Sequence, residues 1–167
     1  MKEGTLKPYS IIREMLKDAA ENSYQKVKTK VQTLTRPSWD DIWMQTARVI
    51  ACRSIDPRHK VGAVVVSGDN TQVLAVGYNG NYTGGPNKVE SLDPGESGCI
   101  HAEINALLKL DYNNPKRKIM YVTLSPCRMC AKAIVNSGIN EVVYDEAYRD
   151  ISSLDILKDA GIICRKM

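Results

Sequence analysis

The sequence predicts an α/β domain, and three observations carry that expectation. Two strand-like apolar runs, Val61 to Val66 and Gln72 to Gly77, are joined by the turn-rich Ser67-Gly68-Asp69-Asn70-Thr71 and read as a hairpin. Helical and strand-like segments then alternate to the C-terminus, which implies parallel pairing with helices covering both faces of a sheet. At 167 residues and 43% hydrophobic content, the chain has the size of one compact domain with a buried core.

Residues Ile11 to Val31 carry Ile11, Ile12, Met15, Leu16, Ala19 and Ala20 at helical spacing until Thr33-Leu34-Thr35-Arg36-Pro37 breaks the pattern. Residues 1–37 are therefore expected to form a separable helical arm, and residues 38–167 the main domain. Ser38 offers an N-cap before Trp39-Asp40-Asp41, whose acids suit a helix start. Ile42, Trp43, Thr46, Val49 and Ile50 keep the helical period, and Asp56-Pro57 ends it. After the hairpin, Asn79 to Gly98 is dominated by Gly, Asn, Pro and Ser, too polar and broken for a core element. A loop of that length beside a compact domain is usually functional. Further helices are expected at His101 to Leu110, Cys127 to Ser137 and Ser152 to Ala160, with strands at Lys118 to Leu124, Glu141 to Tyr144 and Ile162 to Cys164.

Charge is unevenly placed. Up to Arg36 there are eight Lys and Arg against four Asp and Glu, and beyond it fifteen of each, so the net +4 belongs to the arm. A basic arm can touch nucleic acid or an acidic partner, but a solvated amphipathic helix is the simpler reading, and nucleic acid is not an expected partner. Apolar runs are interrupted by charge or glycine within about ten residues, short of the roughly 20 that a spanning helix needs. No membrane segment is expected. The first residues lack the apolar stretch of a secretory signal, so the expected compartment is the cytoplasm. Five cysteines, an odd count with one metal-type spacing, argue against a disulfide scaffold.

Cys127-Arg128-Met129-Cys130 places two thiols three residues apart, behind a Ser125-Pro126 that opens a helix. Both sulfurs then lie on one face, and helix-start amides favour the thiolate that binds metal. Alone, Cys-x-x-Cys is equally a redox pair or half of a structural zinc site. His101-Ala102-Glu103 supplies the remainder, a His followed two residues later by a carboxylate at another helix start. Three ligands, His101, Cys127 and Cys130, leave the fourth tetrahedral position for water, the arrangement of catalytic rather than structural zinc. Glu103 is then the acid and base. It takes a proton from water, passes it to the ring nitrogen beside the attacked carbon, and later protonates the departing amine. His-x-Glu with Pro-Cys-x-x-Cys is the signature of zinc nucleobase deaminases, and both halves stand here in that order. His59 is expected in a surface or loop role, Cys99 in packing, and Cys52 and Cys164 as small hydrophobes.

Outside the metal motif, Ser54-Ile55-Asp56-Pro57 with Val61-Gly62-Ala63, Gly77-Tyr78-Asn79-Gly80, His101 to Ala106 and Tyr121 to Cys127 resemble the deoxycytidylate (dCMP) deaminases. The resemblance extends to the phage type, lies within the cytidine deaminase-like superfamily, and runs from about Trp39 to the C-terminus. Free-nucleoside cytidine deaminases usually have Cys where His101 stands, and tRNA adenosine and guanine deaminases usually have Glu where Ser125 stands.

The resemblance implies a three-layer α/β/α domain around a mixed five-stranded sheet, assembled as a homo-oligomer, usually a hexamer. It implies hydrolysis of dCMP to dUMP and ammonia, with Zn2+ as cofactor. Asn79 would contact the sugar, the Ala102 amide and Ser125 carbonyl the base edge, and Tyr148 the nucleotide. Arg53 and Ser54 are the candidates for the phosphate. Such enzymes are commonly activated by dCTP and inhibited by dTTP, bound with Mg2+ after the Tyr-Asn-Gly block. Here Gly80, Gly84 and Gly85 would let backbone amides approach a triphosphate.

Two departures stand out. Asn81-Tyr82 replaces the Pro often found two residues after that block, and the loop has no Cys or His for the second zinc of the phage type, so one zinc per subunit is expected. Competing readings are a deaminase of dCTP, a nucleoside or a nucleic-acid base, and a zinc module without catalysis. The intact Glu103 argues against the last.

Overall fold

A computed structural model describes residues 36–93 and 95–167, together with Arg13, Glu14, Lys17, Asp18 and Glu21. The chain divides into two compact units, Met1–Pro37 and Ser38–Met167. In the first, Arg13, Glu14, Lys17, Asp18 and Glu21 are helical, Arg36 and Pro37 are not, and all seven are exposed. The apolar positions expected on that helix, Ile11, Ile12, Met15, Leu16, Ala19 and Ala20, lie outside the described residues.

In the second unit, helix α1 (Trp39–Ala51) leads to strands β1 (Gly62–Ser67) and β2 (Val73–Tyr78). Then follow α2 (Ala102–Leu107), β3 (Lys118–Leu124), α3 (Arg128–Val135), β4 (Glu141–Glu146), α4 (Ser152–Asp159) and β5 (Ile163–Lys166). Ser38 starts α1 through a reciprocal box. Its Oγ accepts from the Asp41 amide at 3.1 Å, and the Asp41 carboxylate accepts from the Ser38 amide at 3.1 Å.

The five strands form one sheet in the order β2-β1-β3-β4-β5. β3, β4 and β5 are parallel, as the alternation implies, but β1 is antiparallel to both its neighbours. The hairpin reverses the chain, and α2 then crosses over β1 to set β3 parallel to β2. Side chains of the central strands alternate between two cores. Ala63, Val65, Met120, Val122 and Val142 join residues of α2, α3 and α4 on one face. Val64, Val66, Ile119, Tyr121 and Val143 join Met44 and Ala47 of α1 on the other. The result is a three-layer α/β/α domain. β1 is buried along its whole length, as a strand between two helical layers must be.

Several boundaries shift from the sequence-based expectation. α2 ends at Leu107, with Leu108–Leu110 in turns. β5 starts at Ile163 because Gly161, at φ +79, turns the chain and Ile162 is drawn into the core. Cys164 packs on the core, whereas Cys52, the residue capping the end of α1, is exposed rather than packed. Among the described residues no helix is long and apolar enough to cross a membrane.

Candidate active site

Ser125 to Cys127 follow the carboxyl end of β3, and Ala147-Tyr148 follow that of β4. Open α/β sheets bind ligands beyond the carboxyl ends of their parallel strands. The starts of α2 and α3 meet there. His101 is the N-cap of α2 and Cys127 that of α3; both have extended backbone, and neither spends its side chain on a capping bond. The Nδ1 of His101 therefore lies free beside the thiols, 3.3 Å from Sγ of Cys130 and 3.5 Å from Sγ of Cys127. One ligand atom from each of the three residues lies within 4.8 Å of the others. Two thiols and one imidazole suit zinc, and three donors leave one tetrahedral position open.

Glu103 sits in the first turn of α2 and is 4% exposed. Burial raises its carboxyl above the ordinary glutamate value, the trait of a group that must hold and release a proton. The hydrogen bond with Cys130, followed by that with His101, pulls the Cys127 thiol down to about 3. The same Cys127 bond, with burial, pushes Cys130 up, and the contact with Cys127 raises His101. The group as a whole thus favours a thiolate beside an imidazolium, the charge arrangement that ligand deprotonation builds on.

His101, Glu103 and Cys127 line a cavity of about 370 Å³, together with Asn79, Ala102, Ser125 and Tyr148. Ala102 is the first residue of α2, so its amide has no intrahelical partner. The buried Ser125 stitches the strand ends. Its amide donates to the Glu146 carbonyl at 2.8 Å, and its Oγ accepts from the Tyr148 amide at 2.7 Å, which fixes the backbone of Tyr148 at the cavity wall. Asn79 is also buried. Its Oδ1 accepts from the Val61 amide and its Nδ2 donates to the His59 carbonyl, both at 2.8 Å.

Arg53 and Ser54, expected beside the phosphate, are not among the residues lining this cavity. The chain turns inward after α1. Ser54 is 4% exposed and its Oγ accepts from the Asp56 amide at 3.1 Å, while Arg53 and Ile55 line a second cavity of about 400 Å³. Gly80, Gly84 and Gly85 line that second cavity too, with Lys109. Gly84 has φ +81, a conformation that favours glycine, and Gly80 is bridged to Ile100.

Sequence reasoning missed part of the first cavity. Asp56, Arg58, His59, Cys99 and Arg149 line it; His59 is the exposed loop residue expected but also part of the wall, and Cys99 is a half-buried wall residue rather than a packing group. The Asp56 carboxylate accepts from the Arg58 amide at 2.8 Å and the His59 amide at 3.2 Å, a turn that brings the 56–59 segment round to the site. The Asp56-Pro57 pair was the available signal for that turn. Nothing comparable marked Arg149.

Residues 37–146 match the family model described as the cytidine and deoxycytidylate deaminase zinc-binding region. Deoxycytidylate deaminase of Saccharomyces cerevisiae is 38% identical over 145 residues, covering 80% of this chain and 46% of that protein, so the chain spans less than half of the yeast relative. The human deoxycytidylate deaminase is 36% identical over 141 residues, covering 77% of this chain and 79% of the relative. Among solved structures, the dCMP deaminase of cyanophage S-TIM5 in complex with dCMP and dUMP superposes with a TM-score of 0.67 at 30% identity, over 80% of this chain and 99% of that one. The match takes in both helix starts and the strands that bring them together, and the chain belongs to the cytidine and deoxycytidylate deaminase zinc-binding family.

Proposed function

We propose that this chain hydrolyses dCMP to dUMP and ammonia. The observation that carries the reading is a buried Glu103 beside the His101, Cys127 and Cys130 donor set, at a cavity of nucleotide size. The deoxycytidylate deaminases among its relatives, and the dCMP and dUMP bound by the cyanophage enzyme, support the substrate.

His101, Cys127 and Cys130 would hold one Zn2+, which when bound supplies Lewis acidity and acidifies water at pH 7. Glu103 accepts a proton from the attacking water and delivers it to the ring nitrogen beside C4. It then takes the proton of the hydroxyl added at C4 and passes it to the amine, which leaves as ammonia as the C4 carbonyl forms, so one water is consumed and one C–N bond broken. The Ala102 amide and Ser125 carbonyl read the base edge. Tyr148 lies against the nucleotide, and Asn79, with its amide already engaged on His59 and Val61, shapes the sugar pocket. Incubation with dCMP, dCTP, deoxycytidine and a cytosine oligonucleotide tests the reading: dCMP is expected to turn over fastest, and turnover of the oligonucleotide alone would overturn it.

The second cavity supports a regulatory reading. Backbone at Gly80, Gly84 and Gly85, with Arg53 and Lys109 as cations, suits a nucleoside triphosphate carrying Mg2+. In a homo-oligomer, as in the hexamers common in the family, dCTP would then act as activator and dTTP as inhibitor. Rates against dCMP with each triphosphate added decide this. Curves that stay hyperbolic and unmoved would remove the regulatory role.

A further inference from the structure

We propose that Asn105 is a positioning residue for the metal donor His101: it holds the two peptide groups that flank His101 and ties them to the strand that leads into Asn79. The inference rests on the zinc site proposed above, not on the identity of the substrate. Asn105 lies one turn after His101 in α2 and is half-buried. Its backbone amide donates to the His101 carbonyl at 2.9 Å. Its Nδ2 reaches one residue further back to the Ile100 carbonyl at 3.3 Å, and also donates to the Tyr78 carbonyl of β2 at 2.8 Å. One residue therefore grips the peptide before His101 and the peptide after it. Those two planes set the φ of −66 and ψ of 152 at His101, and with them the direction in which its imidazole leaves the chain.

The ring has no other support. A metal-binding histidine usually has its second ring N–H held by a carboxylate or a carbonyl. Here Nδ1 faces the two thiols, and Nε2 has no hydrogen-bond partner among the described residues, so the aim of the ring falls to the backbone. The Ile100 carbonyl also accepts from the Gly80 amide at 3.1 Å, and the Ile100 amide donates to the Gly80 carbonyl at 2.8 Å. Asn105 joins this bridge to β2.

The residue type fits the task. A primary amide brings two N–H groups on one short side chain to two carbonyls; Ser brings one donor and Asp none. Merely attaching α2 to the sheet does not need it, because Ala102 and Ala106 are fully buried and Gly77 admits the helix backbone. Asn105 does not line the Glu103 cavity, so it acts through His101 rather than on a ligand there.

The test is the zinc affinity of the folded full chain, read by competition with a chromogenic chelator in Asn105→Ser, Asn105→Asp and Tyr112→Phe. Both Asn105 variants are expected to weaken zinc at least about tenfold, the scale on which metal sites lose affinity when support outside the ligands is removed. Asn105→Asp should be the weaker of the two. Tyr112→Phe cuts a 2.8 Å bond to the Leu107 carbonyl at the far end of α2 and should bind zinc as the unmutated protein does. Cobalt in place of zinc gives a second readout that a loss of general stability does not move: at saturating Co2+ the d–d bands of the Asn105 variants should shift as His101 meets the metal at another angle.

Unchanged zinc affinity and unchanged bands in folded Asn105→Ser, whatever its melting temperature, overturn the proposal. Equal weakening in Tyr112→Phe does so too, by making the effect one of helix stability. An unmutated chain that takes up no zinc overturns the metal site and the role of Asn105 with it. Tight zinc that weakens in Asn105→Ser upholds the role even without turnover of dCMP, a result that would sink only the substrate.

Discussion

The side chain of Asn79 clasps the segment ahead of β1: its Oδ1 accepts from the Val61 amide at 2.8 Å while its Nδ2 holds the neighbouring His59 carbonyl. Asn79 is 6% exposed, so its own amide group has little water to fall back on. Asn79→Asp keeps the acceptor, loses the donor, and turns a carboxylate toward a carbonyl. Leaving a buried group unsatisfied costs about 1–3 kcal/mol, enough to lower the melting temperature by several degrees. Because the clasp sets the position of residues 58–61 on the cavity wall, KM for dCMP should rise as well. A variant with unchanged melting and KM would show the clasp to be dispensable.

Much of this molecule could be read from its residues, and the gaps have physical causes. The Ser38 cap, the β1–β2 hairpin and the span of β3 follow from local signals: a capping side chain, turn residues and apolar runs. The juxtaposition of His101 with Cys127 and Cys130 was legible because the motif residues open two helices that a crossover must bring together. The cavity that Arg53 lines was not legible because sequence shows the cation but not the side of the chain it leaves from; after α1, Arg53 and Asp56 line different cavities. Arg149 was invisible for a related reason. Its neighbour Tyr148 was singled out by family likeness, while an arginine in a loop carries no periodic signal.

Arg165 near the C-terminus grips Asp40 in the first turn of α1, with Nη1 at 2.7 Å and Nη2 at 3.2 Å from the two carboxylate oxygens, and its Nε donates to Glu141 at 2.7 Å. The Tyr121 hydroxyl donates to Asp40 at 2.7 Å. The Arg165 bond leads the causes that hold the Asp40 carboxyl below its ordinary value of 3.8. A depressed pKa means stability present in full above the unfolded value and lost as pH falls through the folded one. The melting difference between the unmutated protein and Asp40→Asn should therefore be constant at neutral pH and narrow below about pH 4. A difference that widens on acidification would contradict the assignment.

Gly77 lets α2 lie directly on β2. A Cβ there would collide with the Ala102 carbonyl and the Ala106 amide, both helix backbone, which cannot swing aside as a side chain would. Overpacking of this kind costs about 1–3 kcal/mol or more, and relief requires α2 to lift. Since α2 carries Ala102 and Glu103 and is capped by His101, Gly77→Ala should lower the melting temperature, the zinc content and the activity together. Retention of full zinc and activity would mean that the helix shifts without disturbing its first turn.

Glu103 and the three donors divide the chemistry, and two substitutions separate their roles. Glu103 is not one of the three clustered donors, so Glu103→Gln should leave the metal in place while removing the proton carrier. General acid–base catalysis contributes about 10²- to 10⁴-fold, and the loss of kcat should be at least in that range. Cys130→Ala removes a donor that faces Nδ1 of His101 at 3.3 Å, and two remaining ligands are too few for a catalytic zinc site. Metal analysis by mass spectrometry should then give about one zinc per chain for Glu103→Gln and almost none for Cys130→Ala, with both inactive toward dCMP. Zinc lost from Glu103→Gln would make the carboxylate a ligand, and the fourth position would no longer be open to water.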